Sequence, residues 1–535
     1  MKCSACGASN AANFVYCATC GRKRVIDMSG GTAASARTGT VPTQATPAAP
    51  IMLSTPFTHS GKATMATNPY NRQSLGSPAF AKDATRYLCA AVHTNSQLNE
   101  LVIRALIDDE HRAVAFSPGV DLSTVLKHAL AARRRLRIRD ALLALQAILA
   151  IPLLGVPLLT AWLTVYVERW HTYHKVLMPH LRRDAFDRNA APQPMSAAHR
   201  ARADQIATMS RDENVIVSNG YSPFTGFGVA DTDWSFALTV DTAAPGETVK
   251  PFTIHELYDR VEHNLSALGL PGVSITSRVL VNGDDLRAFL DPADARVLLP
   301  DPFRPPVWHV DDSYIRKLRE EPGNRARSYL VIRVTGWSGE IVATLFLRFV
   351  MLPKRDLLFV ELSRSLLAPY RDEFHDVDRV SSANHLLRRS LAMTLPTLLQ
   401  SLVNTAQTLM RPVTLSRQRQ ANEKAIRDGS FAYGPTVIPR ELAASRMYHR
   451  YFQRVDRQMY VKLVEQELFD VLADFLEEHG ISSDDLRARF SVIQNNGIMV
   501  TGGQLNAGAV SAGTMSRAMN AVKQSAPASV PMGRS

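Results

Sequence analysis

Apolar positions repeat with two different periods along this chain, and one long stretch has almost no polar positions. Trp234-Ser-Phe236-Ala-Leu-Thr-Val240 alternates like a strand, and Val273–Val281, Tyr329–Val334, Ile341–Leu352 and Leu357–Leu362 are apolar runs bounded by turn residues. The turn Asn282-Gly283 ends one of them, and Gly336-Trp337-Ser338-Gly339 reads as the loop of a hairpin between two others. Helical spacing appears at Tyr87–Val92, Leu98–Ile107 and Ile254–Leu268, and in a helix that starts at the N-cap Asp121. Leu386–Leu409 is helical with an interruption at Pro396, and Arg411–Asp428 is charged and exposed. The strongest helix is Met459–Leu476, apolar at threes and fours and stopped by Gly480.

Ala141–Val167 carries no ionisable side chain except the Tyr166 phenol. A hydrocarbon layer about 30 Å thick needs roughly 20 apolar residues in a helix, so this run predicts a membrane-embedded segment. Pro152, Gly155 and Pro157 interrupt it, leaving two alternatives, a kinked span or a re-entrant hairpin. The formal charge of +12 and pI near 9.6 favour anionic partners. Much of the excess is local, since Arg133, Arg134, Arg135, Arg137 and Arg139 abut the apolar run and are placed to hold anionic lipid headgroups.

Cys3, Cys6, Cys17 and Cys20 form C-x2-C-x10-C-x2-C with a glycine after each pair, the spacing of a closed four-thiolate Zn²⁺ site. This start resembles the zinc ribbons that open many bacterial membrane proteins. Cys89 lies on an apolar stretch and reads as a buried thiol. Asp108-Asp109-Glu110-His111 reads as a solvated helix end, and Gly220–Gly228 as a turn that presents aromatics to the core. The spacing of His255-Glu256 and Glu262-His263 does not fit a metalloprotease helix, and no nucleophile elbow or distinctive carboxylate pair is found, so no enzyme is predicted.

The tail from Val492 to Val510 is uncharged, β-prone and rich in Asn and Gly. It loosely resembles bacterial amyloid-signalling motifs, with Ile493, Asn496, Gly497, Ile498, Val500 and Leu505 as the self-assembly positions. Taken whole, Tyr221–Gly228 with Trp234-Ser-Phe236, Arg348-Phe-Val350, Phe475–Gly480 and Asn495–Gly503 resemble a family of uncharacterised actinobacterial membrane proteins. The resemblance covers most of 85–515 and implies a membrane location, with no assigned activity.

The expected architecture is therefore multidomain. A zinc ribbon (1–24) and a disordered linker (25–84) precede a helical juxtamembrane region (85–140) and the membrane segment (141–167). A juxtamembrane helix and linker (168–211) lead to an α+β body with an antiparallel sheet (212–380). A helical region (381–490), the β-prone tail (491–520) and a disordered end (521–535) complete it. The expected role is a non-enzymatic scaffold or signalling protein at the cell membrane, mostly cytoplasmic. Its partners would be the lipid bilayer, anionic lipids, and a protein or itself through the tail. The alternatives are a membrane-tethered nucleic-acid binder, which is not favoured, and an enzyme with a site in 212–380.

Overall fold

Two long helices clamp the N-terminal part of the chain and a six-stranded sheet organises the rest. The computed structural model describes residues 78–495, apart from 150–155, 271, 322, 353–355, 380–382 and 446. In chain order the main helices are α1 (Pro78–Thr94), α2 (Ser96–Ile103), α3 (Leu122–Leu149), α4 (Val156–His171) and α5 (Ala197–Asp212). They are followed by α6 (Ile254–Ala267), α7 (Asp312–Glu320), α8 (Ala383–Arg427), α9 (Tyr451–Glu478) and α10 (Asp484–Asn495). The strands are β1 (Val215–Ser218), β2 (Val229–Thr239), β3 (Val273–Asn282), β4 (Arg327–Gly336), β5 (Ile341–Leu352) and β6 (Leu357–Leu367). α1 begins inside the stretch expected to be linker.

The sheet runs β1-β3-β4-β5-β6-β2 and curls into half a barrel. All neighbours are antiparallel except β1 and β3, so the sheet is mixed rather than antiparallel. β1 escapes a sequence reading because Val215–Ser218 is only four residues long and sits in polar surroundings. Alternation puts Leu330, Ile332 and Val334 of β4 and Leu345, Leu347 and Phe349 of β5 on one face. There they pack on Leu257, Tyr258 and Val261 of α6 and on Val464, Leu468, Leu472 and Phe475 of α9. Gly480 ends α9 with φ +71°, a conformation glycine adopts without strain.

The membrane expectation is not upheld. No helix among the described residues is long and apolar enough to cross a membrane, and the predicted cell-membrane location loses its basis with it. The run Ala141–Val167 is divided between the end of α3 and most of α4. α4 starts with Pro157 as its second residue, where proline suits a helix because the amide there has no partner in any case. The two helices lie side by side. The Gln146 amide donates to Thr164 Oγ1 at 3.0 Å, and Leu143, Ala161 and Val165 meet Leu398 of α8 in a small core. Thus the hydrophobic stretch is divided among packed helices rather than forming one straight span. α8 runs unbroken through Pro396 and Pro412, where a break was expected at the first of these.

Candidate interaction surface and polar pocket

The helices α3, α4 and α8 form an arm whose inner core is small and whose outer faces are apolar. On α3, Ile138, Leu142, Leu145 and Leu149 follow at four, three and four residues and all are exposed. On α4 the stripe is Leu163, Val167 and Trp170, and on α8 it is Leu391, Leu395, Leu399 and Leu402. Ile148 and Leu395 are 67% and 64% exposed, which is far from the usual state of such side chains. Four-and-three spacing is the seam that lets one helix seat its side chains between those of another.

At the foot of this arm the five arginines expected to hold headgroups are mostly committed to carboxylates. Arg133 and Arg137 lie 3.6 and 3.9 Å from Glu100, Arg135 lies 3.1 Å from Glu168, and Arg139 lies 2.6 Å from Asp140. Burial lowers Arg133 to about 10. Arg134 is exposed and reaches Met195 Sδ at 3.4 Å. Asp108, Asp109 and Glu110 do not form a solvated end. Arg411 of α8 pairs with Asp108 at 2.6 Å, Thr436 donates to Asp109 at 2.7 Å, and Arg419 pairs with Glu110. Cys89 is a buried free thiol, as its apolar neighbours imply.

A second feature is a cavity of about 430 Å³ beside the β4–β5 hairpin. Trp337 and Ser338 form the turn with φ of +53° and +56°, a region that side chains other than glycine seldom occupy. The Trp337 indole donates to Asp456 at 2.9 Å, which holds the strained turn in place. His375 Nε2 lies 3.4 Å from Glu340, whose other oxygen accepts from Gln453 at 3.1 Å. His375 Nδ1 is buried and has no partner. His449 Nε2 donates to the Tyr370 carbonyl at 2.7 Å, which leaves Nδ1 as an acceptor on the neutral ring. Deeper in, Arg86 makes two 2.7 Å bonds to Asp378, whose carboxyl burial would raise but the guanidinium holds below its usual range.

The model of the AbeC-like domain matches residues 233–508, just over half of the chain. The chain belongs to the AbeC-like domain family. No curated protein matches the sequence. No solved structure matches it either. The AbeC-like domain thus takes in β2 to β6, α6 to α10 and most of the cavity wall, while Tyr87 and Arg183 reach that wall from outside the matched segment. It also takes in the α8 stripe but not those of α3 and α4.

Of the remaining predicted sites, Cys3, Cys6, Cys17 and Cys20 lie outside the described residues. Among the described residues no group of three or more His, Cys, Asp or Glu could hold a metal ion, so the described part gives the metal-binding expectation no site. Ile493 falls in the last turn of α10, so the predicted β-prone tail starts as helix. Asn496, Gly497, Ile498, Val500 and Leu505 lie outside the described residues. The cavity residues were missed because Glu340, His375 and His449 are far apart in sequence; only the Gly-Trp-Ser-Gly turn was visible beforehand.

Proposed function

We propose that the protein is a non-enzymatic assembly scaffold whose helical arm pairs with the arm of a second copy. The observation that carries this reading is the set of uncharged, exposed stripes with seam spacing on α3, α4 and α8. A stripe without ionisable residues is self-complementary, since two copies meet with no charge left unpaired. Sedimentation over a wide concentration range tests it. The full chain should associate, and the double variant L145E/L399E, at 53% and 59% exposed positions, should sediment as a monomer with its helix content unchanged. A wild-type chain that stays monomeric, or that binds lipid vesicles without self-association, would overturn the reading.

A second reading, an enzyme or small-ligand binder, is favoured by the cavity at the strained turn, with Glu340, His375 and His449 converging on it. Under it His375, oriented by Glu340, is the proton-handling group. H375Q would then abolish ligand-induced quenching of Trp337 fluorescence while thermal stability holds; a ligand screen in which no compound alters that fluorescence would retire it. We further propose, on cysteine spacing alone, that Cys3, Cys6, Cys17 and Cys20 hold one Zn²⁺. A purified C3S/C6S chain that keeps the zinc content of the wild type would refute this.

A further inference from the structure

The sheet face turned away from α6 and α9 carries a polar row that crosses four strands. The register pairs Ser274 of β3 with Arg333 of β4, Arg333 with Thr344 of β5, and Thr344 with Ser365 of β6. Arg278 projects from the same face of β3, two pleats from Ser274. The Phe116 ring lies against both arginines, 4.1 Å from the Arg278 guanidinium and 5.8 Å from that of Arg333.

These cations are short of partners. Arg278 is 93% buried, donates through Nε to Thr276 at 3.2 Å, and has a buried Nη1 with no acceptor. Arg333 reaches only Ser274 Oγ at 3.3 Å, and its buried Nε has no acceptor. Thr344 Oγ1, between them and β6, is also buried and unpaired. No carboxylate among the described residues lies within ion-pair distance of either guanidinium. Glu361, on the same face, is taken by Tyr329 at 2.9 Å and Arg348 at 3.7 Å. Glu213 is the acid that Arg278 senses, but burial pushes it up to about 8, so at neutral pH it is mostly protonated and supplies little charge. Burial and mutual repulsion bring Arg333 down to about 10. Uncompensated charge of this kind is among the costliest arrangements a core can hold.

We propose that Arg278, Arg333 and Thr344 form a binding site for a phosphate group, carried by inorganic phosphate or a small phosphate monoester. Two guanidiniums call for two negative charges, which a phosphate monoester nearly supplies at neutral pH and a single carboxylate does not. The planar forks match adjacent phosphate oxygens, and the threonine hydroxyl donates to a third.

Calorimetric titration of the full chain with inorganic phosphate, with glycerol phosphate and with acetate tests the site. Phosphate or its ester should bind and raise the melting temperature, whereas acetate at equal ionic strength should do neither. Stronger binding of the ester than of inorganic phosphate marks an organic ligand; the reverse marks the free anion. R333Q, at the partly exposed member of the pair, should weaken phosphate at least tenfold. T344V, which keeps both charges, should weaken it by a smaller factor. Equal response to phosphate and acetate, or undiminished phosphate binding in a folded R333Q, would overturn the proposal.

Discussion

Glu441, in the short helix Pro439–Leu442, accepts the amide protons of Gly226 at 2.9 Å and Gly228 at 3.0 Å. Both glycines have φ +91°, and a Cβ on either would lie within about 2.1 Å of a backbone oxygen, so no other residue fits. Phe224 and Phe227 in this loop then stack on Phe346 of the sheet. Glu441→Ala strands two amide donors, and denaturant unfolding should show a loss of about 1–3 kcal/mol. The aromatics of this loop were legible from its glycines, but the carboxylate was not, because it lies more than two hundred residues away. His93 and His128 make a second long-range pair, buried and 3.1 Å apart. Burial lowers both, His128 to about 4. Because the folded values lie below the unfolded value near 6.5, stability is intact above that pH and drains away as pH falls towards 4. His128 alone should cost about 2 kcal/mol between pH 7 and pH 5. Unfolding midpoints at the two pH values check this, and H128Q should flatten the difference.

At the level of single elements, the β4–β5 hairpin is the one the sequence locates most closely, since Gly336 and Gly339 flank a two-residue tip between apolar runs. What it does not disclose is that the left-handed residues are the tryptophan and serine of that tip. Relief of this strain is measurable: S338G should raise the unfolding free energy by about 0.5–1 kcal/mol, and a fall would mean the serine hydroxyl holds something more valuable. α9 was equally plain, with its apolar positions at threes and fours and its glycine stop. The apolar run was misread for a physical reason. Composition reports how greasy a helix is, and a helix half sunk in a three-helix arm has the same composition as one in lipid. Only its packing against α8, some 240 residues later, separates the two.

For the molecule as a whole, the α+β body and the helical C-terminal region were visible beforehand, whereas the arm was not. It is assembled from segments that a linear reading assigns to different regions, and its ion pairs at the foot consume the arginines that seemed free. Assembly through the arm therefore has a distinctive signature: association should survive high salt, since the stripes are uncharged, and weaken on cooling as apolar burial loses its drive. Salt-sensitive association would instead point to the exposed Arg134 and its neighbours.

α8 has a mechanical consequence. Its 45 residues make a rod of roughly 65–70 Å whose first half bears the arm stripe and whose last turn sinks Ile426 beneath the sheet. The chain then passes β1 so closely that a methyl on Gly434 would stand 2.2 Å from the Ser218 carbonyl oxygen. There is no slack between lever and hinge, so torque applied at the arm is delivered to the four-residue edge strand. Amide exchange at Val215–Ser218 should accordingly slow when arms engage and return to its resting rate in L145E/L399E; an edge indifferent to engagement would mean the rod bends at its prolines instead.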